Sequence, residues 1–210
     1  MLSINKDTIR DYNRIYRLNL INAVTGYKPA NLIGTKSLSG KSNLAIFSSV
    51  VHLGSDPALL GFILRPQTVP RHTFVNIKEI GFYTINHVNS HIIEKAHYTS
   101  ADFDADISEF EQCHLSEEYL NEFYAPFVAE ANIKIAMKFE ESIEVKLNNT
   151  LMVIGSIEAI HMTDNYINEN GQLDLSRAGT ACISGLDIYH TAQEVARFPY
   201  ARTSELPDFA

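Results

Sequence analysis

Alternating apolar and charged side chains between residues 133 and 147 constrain the fold of this chain more than any other feature. Apolar side chains occupy the odd positions Ile133, Ile135, Met137, Phe139, Ile143, Val145 and Leu147, and charged ones occupy the even positions Lys134, Lys138, Glu140, Glu144 and Lys146. A period of two puts the two sets on opposite faces of a strand, which predicts a half-buried antiparallel sheet with the apolar set inside. Asn148 and Asn149 can adopt the positive φ of a turn into a second strand, residues 151–161.

The rest of the pattern predicts more strands with a few helices between them. We expect strands at residues 29–34, 43–53, 58–64, 82–88 and 179–189, of which the first two form a hairpin around residues 35–41 and the third is buried on both faces. Helices are expected at residues 7–24 and 73–80, with Thr73 as the N-cap of the second, while residues 90–124 are typical of helix and loop. These elements predict a mainly β fold with inserted helices, an antiparallel barrel or sandwich, in one domain spanning residues 1–210.

Composition excludes several classes of partner. Against 25 Asp and Glu residues stand only 17 Lys and Arg, and the net charge of −8 opposes binding to nucleic acid. No stretch approaches the roughly 18 apolar residues that cross a bilayer, and the N-terminus lacks the pattern of a signal peptide. Cys113 and Cys182 are far apart and have no metal-ligand spacing, so we expect a cytoplasmic protein.

Motifs for nucleotide hydrolysis, metal binding and hydrolase chemistry fail on spacing. Five residues separate Gly34 from Gly40 in front of Lys41 and Ser42, one more than a phosphate-binding P-loop allows, so an NTPase is only a distant alternative. The eight histidines form no HxH or HExxH pair, and no metal site is predicted. No nucleophile elbow is present either.

A small anion site is indicated where the second helix begins. Arg71, His72 and Thr73 lie at the predicted start of that helix, where unpaired N–H groups and the positive end of the helix dipole favour an anion. Arg71 would add a full positive charge. The alternative is that Thr73 only caps the helix and Arg71 only faces solvent, and this segment alone does not decide between the two.

Five segments of the chain, residues 28–35, 40–49, 56–62, 73–77 and 81–86, keep a specific order and spacing. Among them are Asn43-x-Ala45-x-Phe47-Ser48 and, later, Thr73-x-x-Asn76-Ile77. Taken together, they resemble the flavin reductase-like, FMN-binding split-barrel family. The resemblance is close over residues 20–90 and looser over the later strands, and the tail around residues 185–202 is similar to that of a bacterial subgroup.

The resemblance implies FMN as the cofactor and a split β-barrel as the fold. It also implies a homodimer with the flavin near the subunit boundary, although the sequence shows no apolar stripe apart from the barrel interior. Small side chains and strand backbone would line the flavin ring, and the start of the second helix would meet the phosphate end. The implied flavin-binding residues are Thr35, Lys36, Ser37, Asn43, Leu44, Ala45, Ser48, Ser49, Arg71, Thr73 and Asn76.

These expectations lead to one function and two alternatives. The leading hypothesis is an FMN-binding oxidoreductase that transfers hydride from NAD(P)H to FMN and passes electrons on to a second acceptor. No catalytic side chain is named, because hydride transfer between two held rings needs no acid or base from the protein. The first alternative is a flavin-binding carrier or sensor module without turnover, and the distant one is the P-loop NTPase.

Overall fold

A computed structural model describes residues 1–66, 72–104 and 106–209. The helices are α1 (Lys6–Asp11), α2 (Arg14–Ala23), α3 (His72–Ile80), α4 (Ile93–Tyr98) and α5 (Glu109–Gln112), and 3-10 turns cover Asp164–Tyr166 and Thr203–Glu205. The strands are β1 (Lys28–Pro29), β2 (Asn31–Lys36), β3 (Ser42–Phe47), β4 (Val51–Ser55), β5 (Ala58–Leu64), β6 (Phe82–His87), β7 (Glu117–Glu118), β8 (Phe127–Val128), β9 (Ile133–Val145), β10 (Thr150–Met162), β11 (Ala181–Ser184) and β12 (Ile188–Thr191).

Seven of these strands form one antiparallel sheet in the order β3-β2-β6-β9-β10-β5-β4. A flat sheet of this size would hold its edges roughly 29 Å apart, at about 4.8 Å per strand spacing. The four Cα steps from Phe47 on β3 to Val51 on β4 span at most about 15 Å, since consecutive Cα atoms are about 3.8 Å apart. The sheet therefore curls into a barrel that is split between β3 and β4, which confirms the predicted fold class.

Side chains on the two faces of the sheet enter two different cores. Along β2, Ile33 points into the barrel and Leu32 points out, as the alternation of a strand requires. Phe74 and Ile77 of α3 pack into the interior core. The outer core lies under α4, α5 and the loops around them, and includes Phe110.

A β-bulge in β9 reverses the alternation from which the sheet was predicted. Phe139 and Glu141 each have a partner on β10, whereas Glu140 between them has none. One extra residue turns every later side chain to the opposite face. Met137, before the bulge, is fully buried in the barrel, while Ile143, after it, is 48% exposed on the outside. The expectation that the apolar stripe lines the interior is therefore wrong beyond Phe139.

The outer face of the sheet carries exposed apolar side chains on neighbouring strands. Ile63 of β5 lies in register with Met152 of β10, which in turn lies opposite Ile143 of β9. We call the exposed residues Val51, Ile63, Ile143 and Val145 the outer patch. Because nothing in the described chain covers this face, the expectation that residues 58–64 are buried on both faces is wrong.

Both ends of the chain differ from the sequence prediction. The helix expected at residues 7–24 breaks in two, because the Asn13 side chain caps α2 by accepting a hydrogen bond from the Tyr16 N–H. The last strand is a hairpin of β11 and β12 around Gly185, whose φ of 65° suits a turn. No residue of α1, α2 or residues 192–209 is buried, so a single domain over residues 1–210 stays a prediction. Among the described helices, none is long and apolar enough to cross a membrane.

Candidate functional site

A cavity of about 380 Å³ opens at the split of the barrel, and we call it the split cavity. Its walls are residues 45–49 at the end of β3, residues 63–65 at the end of β5, and the loop 99–103, with Asn22, Glu109, Thr150 and Leu186 around them. The volume falls in the range of about 300–1,000 Å³ that is usual for small-molecule sites. Among the predicted residues, Ala45, Ser48 and Ser49 lie in this wall.

The β3 wall combines small side chains with open backbone. β3 is an edge strand, and the Leu44 N–H points away from β2 to donate to the Glu109 carboxylate at 2.9 Å. Because the hydrogen-bonding direction alternates along a strand, the N–H and C=O of Ile46 also point toward this free edge, where the cavity lies. Ala45 and Ser48 leave room beside them. A flat heterocycle with one polar rim fits this wall.

Ser49 contributes to the wall, but its hydroxyl already has a structural role. The hydroxyl donates to the Ile63 C=O at 3.1 Å and accepts from the Ile63 N–H at 3.0 Å. It thereby extends the ladder between β4 and β5 by one position. Ser49 thus shapes the cavity by holding the end of β5.

Four of the predicted site residues form a buried connection between α3 and the β2–β3 hairpin. The Asn43 amide donates to the Thr73 hydroxyl at 3.1 Å, and the Asn76 amide donates to the Thr35 hydroxyl at 3.1 Å. We call these two pairs the helix latch. All four side chains are buried, and none lines the split cavity. Since α3 begins at His72, Thr73 lies inside the helix, and its assignment as the N-cap is wrong.

The remaining predicted residues are separated from the cavity or lie outside the described chain. The Lys36 ammonium is 4.5 Å from the centre of the Tyr119 ring, and the Ser37 C=O accepts a hydrogen bond from the Tyr124 hydroxyl at 2.8 Å. Both residues are at the far end of the hairpin from the cavity. Leu44 is fully buried and offers only its backbone. Arg71 lies outside the described residues.

Glu109 is the cavity residue that the sequence did not reveal. Burial raises the pKa of its carboxyl group, against the opposing effects of the Leu44 N–H, His72 and Lys41. It stands in an acidic interval of helix and loop, where no local pattern separates a cavity carboxylate from a solvated one. Only the folding of α5 against the edge of β3 brings it to the site.

The structure contradicts the P-loop alternative. Lys36 pairs with Ser42 across an ordinary hairpin, and Ser42 begins a strand. A P-loop instead leads from a strand into a helix whose first N–H groups hold the phosphates. No metal-binding group of three or more His, Cys, Asp or Glu side chains occurs in the described part of the chain.

A family comparison decides what kind of barrel this is. The model of the flavin reductase like domain matches residues 27–177, which is more than half of the chain. The chain belongs to the flavin reductase-like family. The match begins at the first strand and leaves α1, α2 and the tail outside, so the family signature coincides with the barrel and its insertions.

Individual relatives of this flavin reductase-like chain agree with the assignment. An uncharacterized protein of Halalkalibacterium halodurans is 30% identical over 146 residues, which cover 69% of this chain and 68% of the relative. A split-barrel protein of Shewanella frigidimarina, proposed to be a flavin reductase, is 47% identical with a TM-score of 0.93, covering 96% of this chain and 100% of the other. Nitrilotriacetate monooxygenase component B of Bacillus cereus shares the fold, with 18% identity, a TM-score of 0.83 and coverage of 94% and 98%.

Proposed function

We propose that this protein binds FMN in the split cavity and uses it to pass hydride from NAD(P)H to a second acceptor. Membership of the flavin reductase-like family supports an oxidoreductase that works with a flavin. The observation that carries the proposal is the wall of the split cavity, in which small side chains stand beside the open backbone of an edge strand.

The residues present fit an isoalloxazine ring. This ring has an apolar benzenoid edge and a polar pyrimidine edge. Ile63, Leu64 and Phe103 give the cavity an apolar side, and the Ile46 backbone gives it a donor and an acceptor. Arg65 also lies in the wall and brings a positive charge to a chain of net charge −8, as a phosphate requires. We expect Arg71 to act with it.

The chain's own residues would hold and orient the reactants. Bound FMN supplies the chemistry of accepting hydride and releasing electrons. Hydride transfer needs the donor and acceptor atoms about 3–3.5 Å apart, so the task of the protein is placement and exclusion of water. The loop 99–103 and Leu186 border the cavity opposite β3 and would exclude water. We therefore assign no acid or base.

Titration with FMN and with riboflavin tests the cofactor. FMN should bind more tightly, and Arg71→Ala should weaken FMN by about 1–3 kcal/mol, the range for a charge-assisted hydrogen bond, and leave riboflavin unchanged. Arg65→Ala should behave in the same way. Arg177→Ala is a matched control, because Arg177 is exposed and far along the chain from both. Equal dissociation constants for the two flavins would remove the phosphate site.

Anaerobic addition of NADH or NADPH to the FMN complex tests turnover. We expect the absorbance of oxidised flavin to bleach with one or both nucleotides and to return on adding an electron acceptor. If FMN stays bound and neither nucleotide bleaches it, the protein is a flavin carrier or sensor. If no flavin binds at all, the proposal fails.

The outer patch supports a homodimer in the cytoplasm. Val51, Ile63 and Ile143 form part of an exposed apolar face on adjacent strands, and a two-fold axis would pack this face against its own copy. Both cysteines are free, which suits a reducing compartment. Light scattering at micromolar concentration should return twice the monomer mass of 23.6 kDa. A monomeric mass would contradict this part of the proposal.

A further inference from the structure

The C-terminal tail, residues 192–209, runs over the surface with every residue exposed. It carries five large apolar side chains, Val195, Phe198, Tyr200, Leu206 and Phe209, which are between 65% and 96% exposed. Within the described chain, hydrogen bonds tie it to the body only where Ser176 donates to the Ala192 C=O and Arg197 donates to Gln172. Single exposed apolar residues are common, but five in so short a segment mark a contact surface.

A related crystal structure shows that the course of the tail is not arbitrary. The Shewanella protein covers 96% of this chain with a TM-score of 0.93. The uncovered 4% is shorter than the tail, so part of the tail follows the same course in that protein. A segment with so few contacts in its own chain normally frays. A reproducible course therefore indicates a supporting surface outside the chain.

The charge of the tail suggests what that surface is like. Residues 197–202 contain Arg197 and Arg202 and no acidic residue, in a chain of net charge −8. Arg197 pairs with Glu194 of the tail itself, while Arg202 forms no ion pair within the described chain. A second copy of this acidic chain would attract Arg202.

A second cavity of about 480 Å³ offers a suitable receptor, and we call it the hairpin cavity. It lies between α3 and the far half of β9–β10, with Phe74 and Leu151 as apolar walls and Glu144 at its rim. Glu144 faces this cavity because the bulge in β9 reverses the alternation, and in the described chain it forms no ion pair. Thr150 borders both the hairpin cavity and the split cavity.

We propose that the tail is an exchange arm that docks in the hairpin cavity of a second copy of this chain. Phe198 and Tyr200 fill the cavity against Phe74, and Arg202 pairs with Glu144 of the other copy. Each arm then closes the Thr150 side of its partner's split cavity. The arm rests on the proposed dimer but not on the proposed flavin chemistry, which the test below keeps separate.

Two charge reversals in the full-length chain test this arrangement. Arg202→Glu and Glu144→Arg each place like charges in both arm contacts of a homodimer. A mixed dimer of the two variants, in contrast, has one native pair and one reversed pair, and both attract. Trypsin cleavage after Arg197, which every variant keeps, reports whether the arm is docked. Each single variant should be cleaved about tenfold faster than the parent, and the equilibrated mixture should return close to the parent rate.

Controls and contrary outcomes are well defined. Arg177→Glu and Glu169→Arg reverse exposed charges outside both partners and should leave the cleavage rate unchanged. If the double variant recovers but the mixture does not, the arm docks in its own chain and exchange is refuted. Unchanged cleavage in either single variant also overturns the proposal, including the case in which another protein holds the arm. FMN titration of the parent reports the flavin proposal independently, so each can fail alone.

Discussion

The two halves of the β9–β10 pair have the same sequence pattern and opposite environments. Before the bulge, odd-numbered apolar residues such as Met137 fill the barrel, and after it, odd-numbered apolar residues such as Ile143 and Val145 face outward. Alternation in a sequence therefore shows which side chains share a face, but it does not show what covers that face. A single unpaired residue, Glu140, makes the difference. The far half gains an exposed apolar patch on one face and a cavity with an acidic rim on the other.

The largest expected effect comes from truncating one residue in each half. Met137→Ala should lower the free energy of unfolding by about 4 kcal/mol, because it leaves a cavity in a close-packed interior. Ile143→Ala, a matched truncation after the bulge, should cost less than about 1 kcal/mol in dilute protein. Chemical denaturation of both variants measures the difference. Equal losses would show that the far half is covered within the monomer, and the comparison would then fail.

The next largest effect concerns Gly155, the residue that faces Phe139 beside the bulge. A Cβ at this position would meet the Tyr83 hydroxyl at 2.3 Å and the Lys138 C=O at 2.7 Å. Tyr83 is fully buried and Lys138 contributes backbone, so neither can easily move. Gly155→Ala should therefore destabilise the barrel by about 3 kcal/mol. Ser142→Ala in the far half serves as the control and should unfold at nearly the parent denaturant concentration.

Such details mark the limit of what the sequence could predict. The alternation of residues 133–147, the Asn148-Asn149 turn and the hairpin around residues 37–41 depend on local pattern, and the structure confirms them. The bulge at Glu140 leaves no local sign, because charged residues are as common in an ordinary outward position. The split cavity divides in the same way. Ala45 and Ser48 follow from a motif, whereas Glu109 reaches the cavity through tertiary packing alone.

His87 sharpens the contrast between buried and exposed regions through pH. Burial lowers its pKa from 6.5 to about 4, and its Nδ1 has no hydrogen-bond partner in the described chain. In this range the unfolded chain binds a proton and the folded chain does not, so stability falls with decreasing pH. From pH 7 to pH 5 the loss should be about 2 kcal/mol for this shift.

Denaturation at a series of pH values measures this loss in the parent and in His87→Gln. The variant should lose the corresponding part of the slope, whereas His52→Gln, which changes an exposed histidine, should keep it. A parent slope that survives in His87→Gln would assign the acid sensitivity to other groups. His87 lies on β6, beside the half of β9 that precedes the bulge, so the slope reports the dryness of that region.

The smallest expected effect tests whether the helix latch is a structural contact. Asn43→Ala and Thr73→Val each remove one side of a buried hydrogen bond of 3.1 Å. Each single variant leaves a polar group unpaired, while the double variant removes both groups, so the two losses should not add. We expect a coupling energy of about 1 kcal/mol in a double-mutant cycle of unfolding free energies.

The same cycle, repeated with FMN affinity as the readout, separates the latch from the flavin site. The resemblance to known proteins implies that Asn43 and Thr73 bind the flavin directly, whereas the structure pairs them with each other and buries both. If they act only by holding α3 on the hairpin, the double variant should bind FMN better than either single variant, because no buried group remains unpaired to displace the helix. If each contacts FMN, its loss persists in the double variant, and affinity falls at both steps. That second result would give the two residues back their direct role and would move the flavin from the open edge of β3 toward the start of α3.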